Sequence, residues 1–113
     1  MSPITTHVLD TARGGPASGI AIHLRRVADD GTLVDVGHGT TDTDGRVRDL
    51  MAEGALTPGR YRITFETGPY LQRTAGGGFY PEVVVDFRIE AADEHYHVPL
   101  LLSPFGYSTY RGS

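Results

Sequence analysis

The chain has 113 residues, of which 39% are hydrophobic and 21% charged, and its 15 glycines and 7 prolines favour one all-β domain of short elements and many turns. The formal net charge is −4 with basic residues spread among acidic ones, which argues against nucleic acid as a partner, and no apolar run approaches the ~20 residues of a membrane-spanning helix. With no cysteine, disulfides and thiolate sites are excluded, and a cytoplasmic location is expected.

The first half of the chain predicts three strands and a turn. The first strand is expected at Ile4–Asp10, with His7 and Val8 on opposite faces. The second has its apolar face at Ile20, Ile22 and Leu24. The third is expected at Leu33–Thr40. The segment 41–46 begins like a calcium loop but lacks the spacing and the distal glutamate, so it is interpreted as a turn that projects Arg46 at the start of a short strand.

The second half predicts one surface helix between further strands. A strand is expected after residue 59, with its apolar face at Tyr61, Ile63 and Phe65. Residues 69–75 follow as a short helix, with proline at the first position and three glycines ending it. The strand over 81–90 is expected to face the core with Val83, Val85, Phe87 and Ile89. The next strand is expected to have an apolar face at Tyr96, Val98, Leu100 and Leu102, and a last strand covers about 105–111. Seven or eight short strands favour two packed sheets in a single domain over residues 1–113.

Two histidines on the penultimate strand are the first candidates for chemistry. His95 and His97 share the face turned away from the leucines, because side chains alternate along a strand. Such a pair can bind zinc, but a zinc site needs three or four ligands and no third lies at a diagnostic spacing, so no metal is predicted. The alternative is that histidines are simply solvated, which is the interpretation for His23 and His38.

Arginines and hydroxyls near the chain end are the second set of candidates. Arg46 and Arg111 offer forked donors that suit a planar anion or a developing oxyanion, although a surface arginine is usually a solvated charge. The hydroxyl residues of 107–113 are equally typical of ordinary strands. No serine lies in a nucleophile elbow, which disfavours a serine triad.

Three segments give a resemblance to a known family. These are residues 6–14 (THVLDTARG), 43–46 (TDGR) and 95–113 (HYHVPLLLSPFGYSTYRGS), which together resemble the 5-hydroxyisourate hydrolase family of transthyretin-like enzymes. The resemblance spans the chain and implies a transthyretin-like sandwich of two four-stranded sheets with one short helix. It also implies a homotetramer, a dimer of dimers, whose central channel holds two sites built across the dimer–dimer interface.

The resemblance assigns functional residues as well. It implies catalytic roles for His7, Arg46, His97 and Ser113, and substrate binding by Tyr110, Arg111 and Gly112, with no cofactor. The implied reaction is hydrolysis of the cyclic amide of 5-hydroxyisourate to 2-oxo-4-hydroxy-4-carboxy-5-ureidoimidazoline in urate degradation.

The side chains named above have the chemistry that this reaction needs. It requires a base to activate water, a cation to hold the anionic substrate and hydrogen-bond donors near the developing oxyanion. Either His7 or His97 can be the base, and Arg46 would orient the substrate. The first alternative function is a transthyretin-like small-molecule carrier without catalytic activity, whose ligand site would need more apolar walls. The second rival is a structural or adhesive sandwich.

Overall fold

Nine strands and one helix make up the part of the chain, residues 2–113, that the computed structural model describes. In chain order they are β1 (Ile4–Asp10), β2 (Gly15–Pro16), β3 (Ala21–Val27), β4 (Leu33–Thr40), β5 (Arg46–Val47), β6 (Gly59–Phe65), α1 (Thr67–Ala75), β7 (Val83–Ile89), β8 (Tyr96–Ser103) and β9 (Gly106–Thr109). They form two sheets that share one hydrophobic core. The all-β prediction is therefore confirmed.

The first sheet is built around β1. Strand β8 pairs with it in parallel along its whole length, from Ile4 opposite Tyr96 to Asp10 opposite Leu102. The other edge of β1 is divided between β5, opposite residues 6 and 7, and β2, opposite residues 9 and 10. Strand β9 completes the order β2-β1-β8-β9. This sheet has five strands instead of the expected four because two of them are only two residues long and share one edge.

The second sheet has the antiparallel order β4-β3-β6-β7. Its inner face carries the predicted apolar residues Ile22, Leu24, Tyr61, Ile63 and Phe65, all at most 1% exposed. The matching inner residues of the first sheet include Ile4, Val8, Leu100 and Leu102, which are fully buried. Alternating burial along β1 and β8 leaves the other face of the first sheet turned outward.

The helix and the last strand differ from their expected bounds. Helix α1 begins at Thr67, two residues before its proline, and ends at Ala75 as expected; Gly76 follows as its C-cap, with the left-handed φ of 73° that glycine favours. The last strand ends at Thr109, and Gly112 then makes a separate bridge to His97. Within residues 2–113, no helix is long and apolar enough to span a membrane.

Candidate functional site

The outward face of the first sheet carries a cleft of about 420 Å³. Its lining residues are Thr5, Thr6, Arg46, Arg48, His95, His97 and Ser113. They come from β1, from β5 and the residue after it, from β8 and the residue before it, and from the end of the chain. Sequence segments some ninety residues apart meet here because β1 and β8 are paired in parallel, with Thr5 directly opposite His97.

His7 lies next to this cleft and beside Arg46. The two residues are direct partners across the β1–β5 pairing, so they share the outward face of the sheet. A second cavity of about 430 Å³ is lined by His7 together with Arg46 and Arg48, which also line the first. The two cavities therefore share Arg46 and Arg48, and His7 on β1 lies between Arg46 on β5 and strand β8, which carries His97.

The turn before β5 fixes the position of Arg46. Asp42, near the start of this turn, accepts hydrogen bonds on Oδ1 from the backbone N–H groups of Arg46 (3.0 Å) and Asp44 (2.9 Å). These bonds, above all the one from Arg46, lower the pKa of the Asp42 carboxyl. Gly45 has a φ of 77°, and a Cβ there would lie 2.4 Å from the carbonyl oxygen of Val8, so only glycine lets the turn approach β1 this closely.

The two arginines of the cleft differ in whether a carboxylate lies close enough to form an ion pair with them. Arg48 donates to Asp42 at 3.0 Å and lies 3.8 Å from Asp44. For Arg46, no carboxylate lies within ion-pair distance in the described part of the chain. The guanidinium of Arg46 is thus available to an anionic or planar polar ligand.

His97 is held from one side by a hydroxyl. Its Nδ1 lies 2.9 Å from Oγ1 of Thr5, and the same Oγ1 lies 3.0 Å from Nε2 of His95. Burial lowers the pKa of His97, and the positive charges of Arg46, His7 and His95 lower it further. A neutral imidazole near pH 7 is the form that can accept a proton.

The end of the chain packs on the same imidazole. The backbone N–H of Gly112 donates to the carbonyl oxygen of His97 at 2.8 Å. A Cβ on Gly112 would lie 2.7 Å from Cδ2 of His97 and 3.2 Å from Cγ of Pro99, so the tail lies flat against the ring. This contact brings Ser113 to the cleft wall.

Two predicted substrate-binding residues line a different cavity that also borders His97. Tyr110 and Arg111 line this cavity of about 250 Å³, between β7, β8 and the tail, and His97 is part of its lining. The Arg111 guanidinium lies 4.4 Å over the Tyr96 ring and donates to Glu94 at 3.1 Å. In this arrangement Arg111 holds the tail in place, Gly112 packs against His97, and Ser113 lines the 420 Å³ cleft.

The sequence prediction missed Thr5 and Arg48. Both could have been found by strand alternation, since Thr5 precedes His7 by two positions and Arg48 follows Arg46 by two. His23 and His38, which were interpreted from the sequence as solvated histidines, lie on the second sheet, opposite each other on β3 and β4. Among residues 2–113, no group of three or more potential metal ligands is found.

Several known proteins are similar to this chain over nearly its whole length. The chain matches the sequence model of the HIUase/Transthyretin family over residues 4–112. It is 50% identical to 5-hydroxyisourate hydrolase 2 of Rhizobium meliloti, covering 97% of this chain and 95% of the relative. The structure of Klebsiella pneumoniae 5-hydroxyisourate hydrolase is 35% identical with a TM-score of 0.81, covering 97% of this chain and 92% of the other.

Transthyretin itself has a very similar backbone. The crystal structure of transthyretin from Sparus aurata superposes with a TM-score of 0.92 at 30% identity, covering 99% of this chain and 97% of the other. Backbone similarity alone therefore does not separate a hydrolase from a carrier. The sequence favours the hydrolases, since the chain is 50% identical to the Rhizobium meliloti hydrolase and 30% identical to this transthyretin.

Proposed function

This chain belongs to the HIUase/transthyretin family, and we propose that the cleft on its first sheet is where it hydrolyses 5-hydroxyisourate. The product is 2-oxo-4-hydroxy-4-carboxy-5-ureidoimidazoline, formed by opening a cyclic amide in urate degradation. We propose that no cofactor takes part; water is the only second reactant in the balanced reaction.

The proposed catalytic set is His7, Arg46, His97 and Ser113. One imidazole takes a proton from water as the water oxygen bonds to the carbonyl carbon, and Arg46 holds the substrate and stabilises negative charge. The ring C–N bond then breaks, and the nitrogen leaves with one proton as a neutral ureido group. The new carboxylic acid releases the second proton, so each turnover yields one carboxylate and one proton.

The observation that carries this proposal is the set of groups around Arg46. Two imidazoles on separate strands adjoin a guanidinium that has no carboxylate within ion-pair distance among residues 2–113, and the terminal serine lies in the same cleft. An anionic or polar ring fits such a lining. A hydrophobic ligand of a carrier would leave these charged groups buried without partners, which is costly.

The proposed roles can be tested by kinetics with substrate generated in situ. Urate oxidase supplies 5-hydroxyisourate, and its ultraviolet decay is followed with and without the protein. We expect acceleration by the wild-type protein, and losses of about 10²-fold or more in kcat/KM for His97→Ala and Arg46→Ala. His38→Ala, which removes an exposed imidazole on the second sheet, should retain wild-type kinetics. Wild-type kcat/KM in a folded His97→Ala or Arg46→Ala variant would contradict the assignment.

We further propose that Tyr110 and Arg111 contribute to substrate binding only in the assembled protein, a homotetramer formed as a dimer of dimers. Support comes from the outward, open position of the cleft and from exposed aromatic side chains, of which Phe105 is 81% and Phe79 69% exposed. Analytical ultracentrifugation should give a mass of four chains, and a monomer with full activity would contradict the shared-site arrangement.

The whole of residues 1–113 is proposed to act as one domain in the cytoplasm. The continuous core supports a single unit, and the absence of cysteine is typical of a reducing compartment. Cell fractionation with an antibody against the protein would test the location.

A further inference from the structure

One carboxylate holds both arginines of the cleft, each in a different way. Oδ1 of Asp42 accepts hydrogen bonds from the backbone N–H groups of Arg46 and Asp44, at 3.0 and 2.9 Å. Its Oδ2 accepts a hydrogen bond from Nη1 of Arg48 at 3.0 Å, and a second carboxylate, Asp44, lies 3.8 Å from Nη2 of the same arginine. Asp42 therefore fixes Arg46 through the backbone and Arg48 through its guanidinium.

The two arginines line the same space but differ in the charge that they present to it. Both line the 420 Å³ cleft and the 430 Å³ cavity, because they flank Val47, which is buried in the core. Arg48 is compensated by Asp42, whereas no carboxylate of residues 2–113 lies within ion-pair distance of Arg46. The hydrogen bond from the Arg46 backbone is the main cause that lowers the pKa of the Asp42 carboxyl, so this carboxyl is ionised in neutral solution.

The number of uncompensated guanidinium groups matters for the proposed reaction, because opening the ring turns an amide into a carboxylate. Guanidinium groups bind carboxylates well, through paired N–H donors. A cleft with two uncompensated arginines would therefore bind the product more tightly than the substrate and release it slowly. With Arg48 paired to Asp42, the product gains less affinity from its new charge.

We propose that Asp42 is a positioning residue that sets the ligand specificity of the cleft, by holding Arg48 so that cyclic ureides without a carboxylate are preferred over those that carry one. This preference separates the substrate of the proposed hydrolysis from its carboxylate-bearing product, so the inference rests on the proposed function. The effect is modest, because Asp42 and Arg48 are both exposed and ion pairs at such positions are weak.

The specificity can be measured by binding, without any activity assay. Uracil and its carboxylate derivative orotate are stable cyclic ureides that differ in this one group, and NMR titration of the full-length protein gives the dissociation constant of each. Asp42→Asn keeps an oxygen for the backbone N–H groups of the turn but removes the charge that holds Arg48. We expect Asp42→Asn to bind orotate about three- to fivefold more tightly than the wild type, with uracil changed less than about twofold.

Three further variants show whether the gain comes from Arg48. Adding Arg48→Gln to Asp42→Asn should return the orotate constant to within about twofold of the wild type, and Arg48→Gln alone should change it by no more than about twofold. Asp35→Asn is the matched control, because it removes a carboxylate from a 3.0 Å ion pair with Arg25 on the second sheet. Asp35→Asn should change neither constant, which excludes an effect of net charge alone.

Equal tightening of uracil and orotate in Asp42→Asn, or no binding of orotate to that variant, would overturn the proposal. A gain for orotate that persists after Arg48→Gln would overturn it as well. Should Asp42→Asn fail to fold, Asp44→Asn decides the question, since it removes the other carboxylate near Arg48 and should tighten orotate alone about twofold. Selective tightening of orotate supports the role of Asp42 even if the decay of 5-hydroxyisourate is unaffected by the protein, in which case only the proposed function fails.

Discussion

Adding one methyl group at Gly112 should damage activity far more than stability. In Gly112→Ala the new Cβ would lie 2.7 Å from Cδ2 of His97 and 3.2 Å from Cγ of Pro99, whereas carbon atoms in good contact are about 3.5–4.0 Å apart. About 1 Å of movement must therefore occur, either by the tail lifting off or by the imidazole turning. Lifting the tail breaks the Gly112–His97 backbone hydrogen bond, and turning the ring strains the bond to Thr5.

Either movement gives up one hydrogen bond, which is worth about 0.5–1.5 kcal/mol. The melting temperature should fall by no more than roughly 6 °C, since 1 kcal/mol corresponds to about 4 °C in a domain of this size. A misplacement of about 1 Å in a catalytic group can nevertheless cost about 10²-fold in rate. We therefore expect kcat/KM to fall about 10- to 100-fold, or about 1.4–2.7 kcal/mol of transition-state stabilisation.

The assay is the ultraviolet decay of 5-hydroxyisourate, combined with thermal unfolding of the same samples. Gly15→Ala is the matched control, because a Cβ built there meets no atom of the described chain within 4 Å and the backbone φ is not positive. Gly15→Ala should be close to the wild type in both measurements. Full activity in Gly112→Ala, or a loss of stability as large as that of a core mutation, would refute the role given to the tail.

Three further changes test the electrostatics and the buried polar contacts. Arg46→Gln should raise the pKa of His97, followed by NMR, because a positive charge that lowers it is removed; an unchanged pKa would contradict the placement of the two groups. The pKa of Asp86 is lowered to about 2, chiefly by its hydrogen bond from Arg62, so its contribution to stability is present above pH ~4 and is lost as the pH falls towards 2. Asp86→Asn should cost about 1 kcal/mol at pH 7 after solvent screening and progressively less as the pH falls to 2 and below, as measured by denaturant unfolding. Tyr70→Phe removes a 2.7 Å hydrogen bond to a buried carboxylate and should lower the free energy of unfolding by about 1.5–3 kcal/mol with activity retained.

Strand positions and the inner faces could be predicted from the sequence because side-chain alternation records burial directly. Tyr61, Ile63 and Phe65 are buried as expected, and so is the apolar side of β8. Strand β4 shows the limit of this approach. Its Leu33 and Val34 are 41% and 48% exposed although both are apolar. Strand β4 lies at the edge of the second sheet, a position that its own residues do not reveal.

Which residues meet at the candidate site was harder to predict from the sequence. Alternation places His7 and His97 on outward faces, but their proximity depends on parallel pairing of β1 with β8, which no local pattern specifies. The direction of Arg111 was also beyond prediction, since its stacking on Tyr96 is a contact between an arginine and a ring fifteen residues away. The family resemblance supplied what local patterns lack, by linking the three separated segments to one site.

The parallel pairing of β1 with β8 also governs when this protein can begin to work. Thr5 and His97 are 92 positions apart, so during translation β1 cannot pair with β8 until the residues of β8 have left the ribosome. Closing so long a loop slows folding more than it lowers the stability of the folded protein, because each doubling of loop length costs only about 0.6 kcal/mol. A nascent chain halted before residue 96 would thus contain every strand of the second sheet and the paired His7 and Arg46, but neither His97 nor Ser113 of the proposed site.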